Sequence, residues 1–73
     1  MSIPRAALLH ERDAAIYLNM SVAWLQRARW NRTGPRYVRV GGPSGRAVRY
    51  KMSDLEAYVA QNTVAVHLPS ARS

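Results

Sequence analysis

Seventy-three residues hold at most one domain, near the size below which a core needs disulfides or metals to fold. The chain has no Cys, which excludes a disulfide framework and a thiolate metal site, and its apolar runs of a few residues fall far short of the roughly 20 that span a bilayer. Eleven Lys and Arg against four Asp and Glu leave a net charge of +7 and a pI near 11.2, a balance that points toward a polyanionic partner.

The N-terminus lacks the long apolar segment of a signal peptide before it meets Glu11 and Arg12. Residues 1–8 read as an arm ahead of a domain spanning 9–62, with 63–73 as a tail. The first predicted helix covers residues 11–18. Ala14, Ala15 and Leu18 share one side of a 3.6-residue repeat, and Glu11 and Asp13 suit its positive end. His10 stands at the cap position, with Asp13 three residues on, a weak form of the capping box.

Asn19 tolerates the left-handed conformation that ends a helix, Met20 offers an apolar plug, and Ser21 is a favoured N-cap for a second helix over residues 22–30. Helix, three-residue turn, helix is helix-turn-helix spacing. Thr33-Gly34-Pro35 breaks the second helix. Tyr37-Val38-Arg39-Val40 and Ala47-Val48-Arg49-Tyr50 alternate as strands around a Gly- and Pro-rich tip, predicting a β-hairpin. A two-stranded hairpin must lie against the helices to be stable.

Ser53-Asp54-Leu55-Glu56 reads as a capping box for a third helix, with Met52 and Ala57 placed for a hydrophobic staple and Leu55, Tyr58 and Val59 on one face. The expected core is Leu18, Met20, Leu25, Tyr50, Leu55 and Tyr58. The fold class expected is mostly α with a small β-hairpin: a winged helix-turn-helix of three helices plus a two-stranded wing.

Charge is sorted along this frame. Eight of the eleven cations lie between Arg27 and Lys51, a window with no acid; the acids Glu11, Asp13, Asp54 and Glu56 lie outside it. On the second helix, Leu25 and Ala28 point to the core. Ala23, Gln26, Arg27 and Trp30 take the opposite face, with Val22 and Arg29 on one flank and Trp24 on the other. Gln pairs with adenine, Arg with guanine, and methyl or aromatic edges meet a thymine methyl. Ser21 caps a helix end whose free amides suit a phosphate. The competing reading is a solvated amphipathic helix, and for Trp24 it is packing under the hairpin.

At the hairpin, Arg39, Ser44, Arg46 and Arg49 sit on or beside a tip that Gly41, Gly42 and Gly45 allow close to a sugar-phosphate wall. Arg29, Arg32, Arg36 and Lys51 are candidate phosphate contacts, with plain solvation the alternative for Arg36 and Lys51.

Leu9, Ala14-Ala15, Tyr17-Leu18, Met20-Ser21, Trp24-Leu25, Gly34-Pro35, the run from Tyr37 to Gly41, Val48-Arg49-Tyr50 and Ser53-Asp54-Leu55-Glu56-Ala57-Tyr58 together give a pattern. It resembles the excisionase-like proteins, or recombination directionality factors, a group that includes Alp-type phage regulators and is related in fold to MerR-type DNA-binding domains. The resemblance runs from about Leu9 to Gln61. It departs at His10, where Thr or Ser is usual, at Asn19, which replaces Gly, and at Gly42-Pro43-Ser44-Gly45, which lengthens the wing tip.

The resemblance implies a bacterial, cytoplasmic and nucleoid-associated protein that binds double-stranded DNA. It would bend an attachment site and steer an integrase toward excision, often as several copies. Relatives also regulate transcription. Val64, Val66 and Leu68 alternate and would suit contacts between copies, or belong to a frayed terminus.

Catalysis has little to stand on. There is no Cys nucleophile, His10 and His67 lie far apart, the carboxylates sit at helix starts, and no Gly-rich phosphate loop opens a helix. No cofactor, metal or small-molecule substrate is expected. RNA binding would call for a wider aromatic platform than a two-stranded wing. A protein-interaction module would have no need of an acid-free run of cations.

Overall fold

Two helices meet at a turn whose backbone follows from one residue. α1 (Glu11–Leu18) ends where Asn19 turns left-handed at φ 57° and ψ 41°. The Asn19 amide then donates to the Ile16 carbonyl and the Met20 amide to Ala15, at 3.0 and 2.9 Å. This is the paired bonding of a Schellman motif, which satisfies carbonyls a helix end leaves open. Ser21 is in extended conformation and its Oγ accepts the Trp24 amide at 3.0 Å, starting α2 (Val22–Asn31). α2 ends the same way one turn past Ala28. Arg32 is left-handed at φ 60°, and Thr33 donates to the Ala28 carbonyl at 2.9 Å.

The computed structural model describes Pro4 and residues 6–66. After α2 come β2 (Val38–Val40), β3 (Ala47–Lys51) and α3 (Met52–Gln61), while β1 (Leu8–His10) precedes α1. The winged helix-turn-helix architecture is as expected, with one strand more than the two-stranded wing. The sheet is antiparallel in the order β1-β3-β2, pairing Leu9 with Tyr50 and Arg39 with Val48. Leu8, placed with the N-terminal arm, begins β1, and so β3 is a central strand. The third strand ties the hairpin to the body of the domain, which a two-stranded ribbon alone does not manage.

The start of α3 differs from the expected capping box. Lys51 occupies the N-cap position, its side chain makes no cap hydrogen bond, and Ser53 lies inside the helix. The reason is the strand in front. β3 runs straight into α3, and the Met52 amide donates to the Ala7 carbonyl at 3.2 Å, extending the β1–β3 ladder by one bond. The sheet therefore sets where the helix begins, and Met52 enters the core instead of standing before the cap.

Ala14, Ala15, Leu25, Tyr50, Met52 and Leu55 form the buried cluster, with Leu9, Leu18, Val22, Trp24 and Val48 packed against it. Of the expected core, Leu25, Tyr50 and Leu55 are buried, and Leu18 and Tyr58 are half-buried. Met20 is 42% exposed. Ala14 and Ala15 let α2 approach α1 closely, which leaves no gap for a plug. Val59 faces outward as well.

The tail's described part, residues 63–66, forms no strand, and Val64 and Val66 are exposed. His67 and Leu68 lie outside the described residues. No helix among the described residues is long and apolar enough to cross a membrane.

Candidate nucleic-acid interface

Because α2 buries Leu25 and Ala28, its helical period turns Ala23, Gln26, Arg27 and Trp30 outward, and all four are exposed. Trp30 is 87% exposed, a large apolar ring with no protein cover and arginines around it. Val22 and Trp24 are half-buried at the flanks. Trp24 packs edge-on against Tyr58 of α3, with ring centroids 6.4 Å apart. It lies neither under the hairpin nor fully on the outer face.

The wing stands beside this helix. Gly42 accepts the Gly45 amide at 2.9 Å, so Pro43 and Ser44 form the exposed tip of a tight turn. Gly41 and Gly42 adopt φ of 111° and 81°, where side chains are strained. A Cβ on Gly45 would lie 2.3 Å from the Val40 carbonyl oxygen, so the tip closes only with glycine there.

Strand alternation divides the wing arginines. Arg39 shares its face of the sheet with Val48 and Tyr50, whereas Arg49 and Lys51 lie on the other.

Two adjoining hollows lie between α2 and the wing. One, of about 630 Å³, is lined by Trp30, Arg32, Tyr37 and Arg39 together with Gln26, Arg29, Arg46 and Val48. The other, of about 580 Å³, shares those last four and adds His10, Glu11, Arg12, Ala47 and Arg49. They form one trough, with Gln26 on the helix side and Arg46 on the wing side. Arg36 borders a smaller hollow beside Arg32, Gly34 and Pro35.

The arginines are not equivalent. Arg29 Nη1 donates to Glu11 Oε2 at 2.6 Å and to the Tyr50 hydroxyl at 3.0 Å, and its guanidinium lies 5.6 Å from the Tyr37 ring centroid. Burial works against its charge, but the hydrogen bonds to Glu11 and Tyr50 outweigh that and hold its pKa above the ordinary arginine range. Burial also raises the Tyr50 hydroxyl above its ordinary value, against the opposing pull of Arg29. The candidate phosphate contact Arg29 is thus bound into the protein, joining α1, α2 and the sheet. Arg49 is half-buried and donates to the Val48 carbonyl at 2.9 Å.

Arg27, Arg32, Arg36, Arg39, Arg46 and Lys51 remain exposed, and Arg39 is steadied at 5.8 Å from the Tyr37 ring. Tyr37 was not among the residues expected at the site. Its alternation with Arg39 was the available signal, since both would lie on one side of the strand expected over residues 37–40. Gln26 Nε2 donates to Glu11 Oε1 at 3.2 Å, so Glu11 belongs to the site although it lies outside the cationic window.

Arg27→Ala is expected to cost about 1–3 kcal/mol of DNA binding and to relax base preference at one position. Binding curves on selected and random duplexes check this: an equal loss on both would make Arg27 a phosphate contact.

An outward polar helix face, a wing beside it and a trough of exposed arginines between them form a surface fitted to a nucleic-acid groove. No curated protein and no solved structure shows a significant match to the chain. Residues 3–63 match the family model described as helix-turn-helix domain, which includes excisionase-like DNA-binding proteins. The chain belongs to that family and is a DNA-binding helix-turn-helix protein.

Proposed function

We propose that this protein is an excisionase, a recombination directionality factor of the Alp-type and MerR-like group. It binds and bends attachment-site DNA as several neighbouring copies and directs an integrase toward excision of a mobile element. The observation that carries this reading is the trough between α2 and the wing, lined by Gln26 and Trp30 on the helix and by Arg46 beside the wing tip. A protein that holds helix and wing to one duplex segment contacts two grooves at once, and bending the duplex improves both contacts.

Exposed Val64 and Val66 beyond α3 support contacts between adjacent copies. The expected setting is the bacterial cytoplasm, at the nucleoid. The tight Gly42–Gly45 turn favours Arg46 as the residue that enters a minor groove.

A second reading, transcriptional regulation of mobile-element genes, rests on the same surface. A mobility-shift titration on DNA flanking the protein's own gene, at two salt concentrations, separates them. A ladder of cooperative complexes on short direct repeats supports the excision factor, and one sharp complex over a promoter supports the regulator. No shift at low salt overturns both. The six exposed cations of the window limit their own contribution to the log–log salt slope to about −5, at roughly 0.9 per phosphate.

Arg46→Ala is expected to weaken binding and reduce the bend measured with permuted sites. An unchanged bend angle would remove the wing-tip role.

A further inference from the structure

The site contains one carboxylate, and its two oxygens are divided between two residues of the recognition helix. Glu11 Oε1 accepts from Gln26 Nε2 at 3.2 Å and Oε2 accepts from Arg29 Nη1 at 2.6 Å. Gln26 and Arg29 are three residues apart and lie on adjoining parts of one helical surface.

A carboxylate is acceptor-only, so it dictates which way the Gln26 amide points. The NH2 group must turn toward Glu11, leaving the carbonyl oxygen and the second N–H for a ligand in the trough. That pair, one acceptor beside one donor, is complementary to N6–H and N7 of adenine. The carboxylate is itself held: Arg29 secures Oε2, and Tyr50 from the sheet secures Arg29. The amide is therefore oriented before any DNA arrives, which lowers the ordering cost of reading a base.

We propose that Glu11 is a positioning residue for base recognition, which clamps the Gln26 amide in the orientation that selects adenine. This rests on the reading of the α2 face as the base-reading surface. It adds that a residue of α1, outside the cationic window, sets what one position of that surface reads.

Glu11→Gln tests it with almost no change of shape. The substituted side chain has one carbonyl oxygen, which the Arg29 cation takes, and its NH2 group then faces Gln26. Gln26 must reverse its own amide to accept from it, turning its NH2 outward. The reversal puts a donor where the carbonyl oxygen stood, so it meets adenine N6–H donor to donor and pairs instead with guanine O6 or thymine O4.

The experiment is selection from a randomised duplex library with the full chain, comparing wild type, E11Q and Q26A, each checked for folding by a cooperative thermal melt. Wild type is expected to prefer adenine at one position by roughly tenfold or more. Q26A should be indifferent at that position, and E11Q should shift it to guanine or thymine while leaving other positions unchanged. The proposal is overturned if E11Q keeps the wild-type preference while Q26A loses it, or if Q26A changes no position. Weaker binding by E11Q with the same base preferences would make Glu11 structural only. If wild type selects no sequence and fails to bind duplex DNA at low salt, the base-reading surface itself is wrong, a result distinct from the others.

Discussion

Leu25→Ala is expected to remove about 2–5 kcal/mol of stability, enough to leave much of the protein unfolded at 37 °C. A domain of 73 residues has roughly 4–11 kcal/mol in all, at about 0.05–0.15 kcal/mol per residue. The cost should fall in the upper part of its range because the neighbours cannot collapse into the space. Leu25 is fully buried in a cluster with Ala14 and Ala15, whose methyl groups have no length to extend. The remaining neighbours, Tyr50, Met52 and Leu55, are fixed by a central strand and the helix it leads into.

Thermal melts followed by circular dichroism would check this. At about 4–8 °C per kcal/mol for a domain this small, the midpoint should fall by more than 10 °C. Val59→Ala, at a site on α3 that is 43% exposed, should change it by only a few degrees. Equal losses at the two positions would mean that the interface between α1 and α2 does not govern folding.

The elements whose signals are local were legible in the chain. Asn19 and Ser21 specify a left-handed stop and a capped start by their own chemistry, and they place α1 and α2 nearly to the residue. Leu25 and Ala28 then fix which face of α2 looks outward. What escaped depends on contacts distant in sequence. β1 has three residues, too few for alternation to register, and it is a strand only because β3 lies beside it. The same pairing moved the start of α3 ahead of Ser53, where the Met52 amide makes a ladder bond to the Ala7 carbonyl.

Arg32 in a left-handed conformation has no sequence signal, since arginine rarely adopts it. The site follows the same division. The cationic window was visible, but which arginines are free was not, because Glu11 and Tyr50 reach Arg29 across 18 and 21 positions.

Arg29→Ala separates a structural cation from a phosphate contact, and the structural outcome is expected. Removing it leaves the Glu11 carboxylate with only the Gln26 amide, takes a donor from the buried Tyr50 hydroxyl, and strips a cation from beside Tyr37. Breaking one side of a fully buried pair costs about 3–5 kcal/mol. Here the side chains keep 19% and 23% exposure, and water softens the loss to about 2–4 kcal/mol. The thermal midpoint should therefore drop by roughly 10–25 °C.

DNA binding by the fraction still folded should keep its salt slope, because a guanidinium already neutralised by Glu11 releases few counterions. A phosphate contact gives the opposite signature, a slope shallower by about 0.9 with an unchanged midpoint. Arg32→Ala is the internal comparison. Arg32 is exposed on the same trough with its left-handed backbone at the end of α2, so its loss should flatten the slope and leave the Glu11 network intact. Should Arg29→Ala and Arg32→Ala behave alike, the Glu11–Arg29 pair would open when DNA binds. The clamp on Gln26 would then form part of a switch in place of a fixed frame.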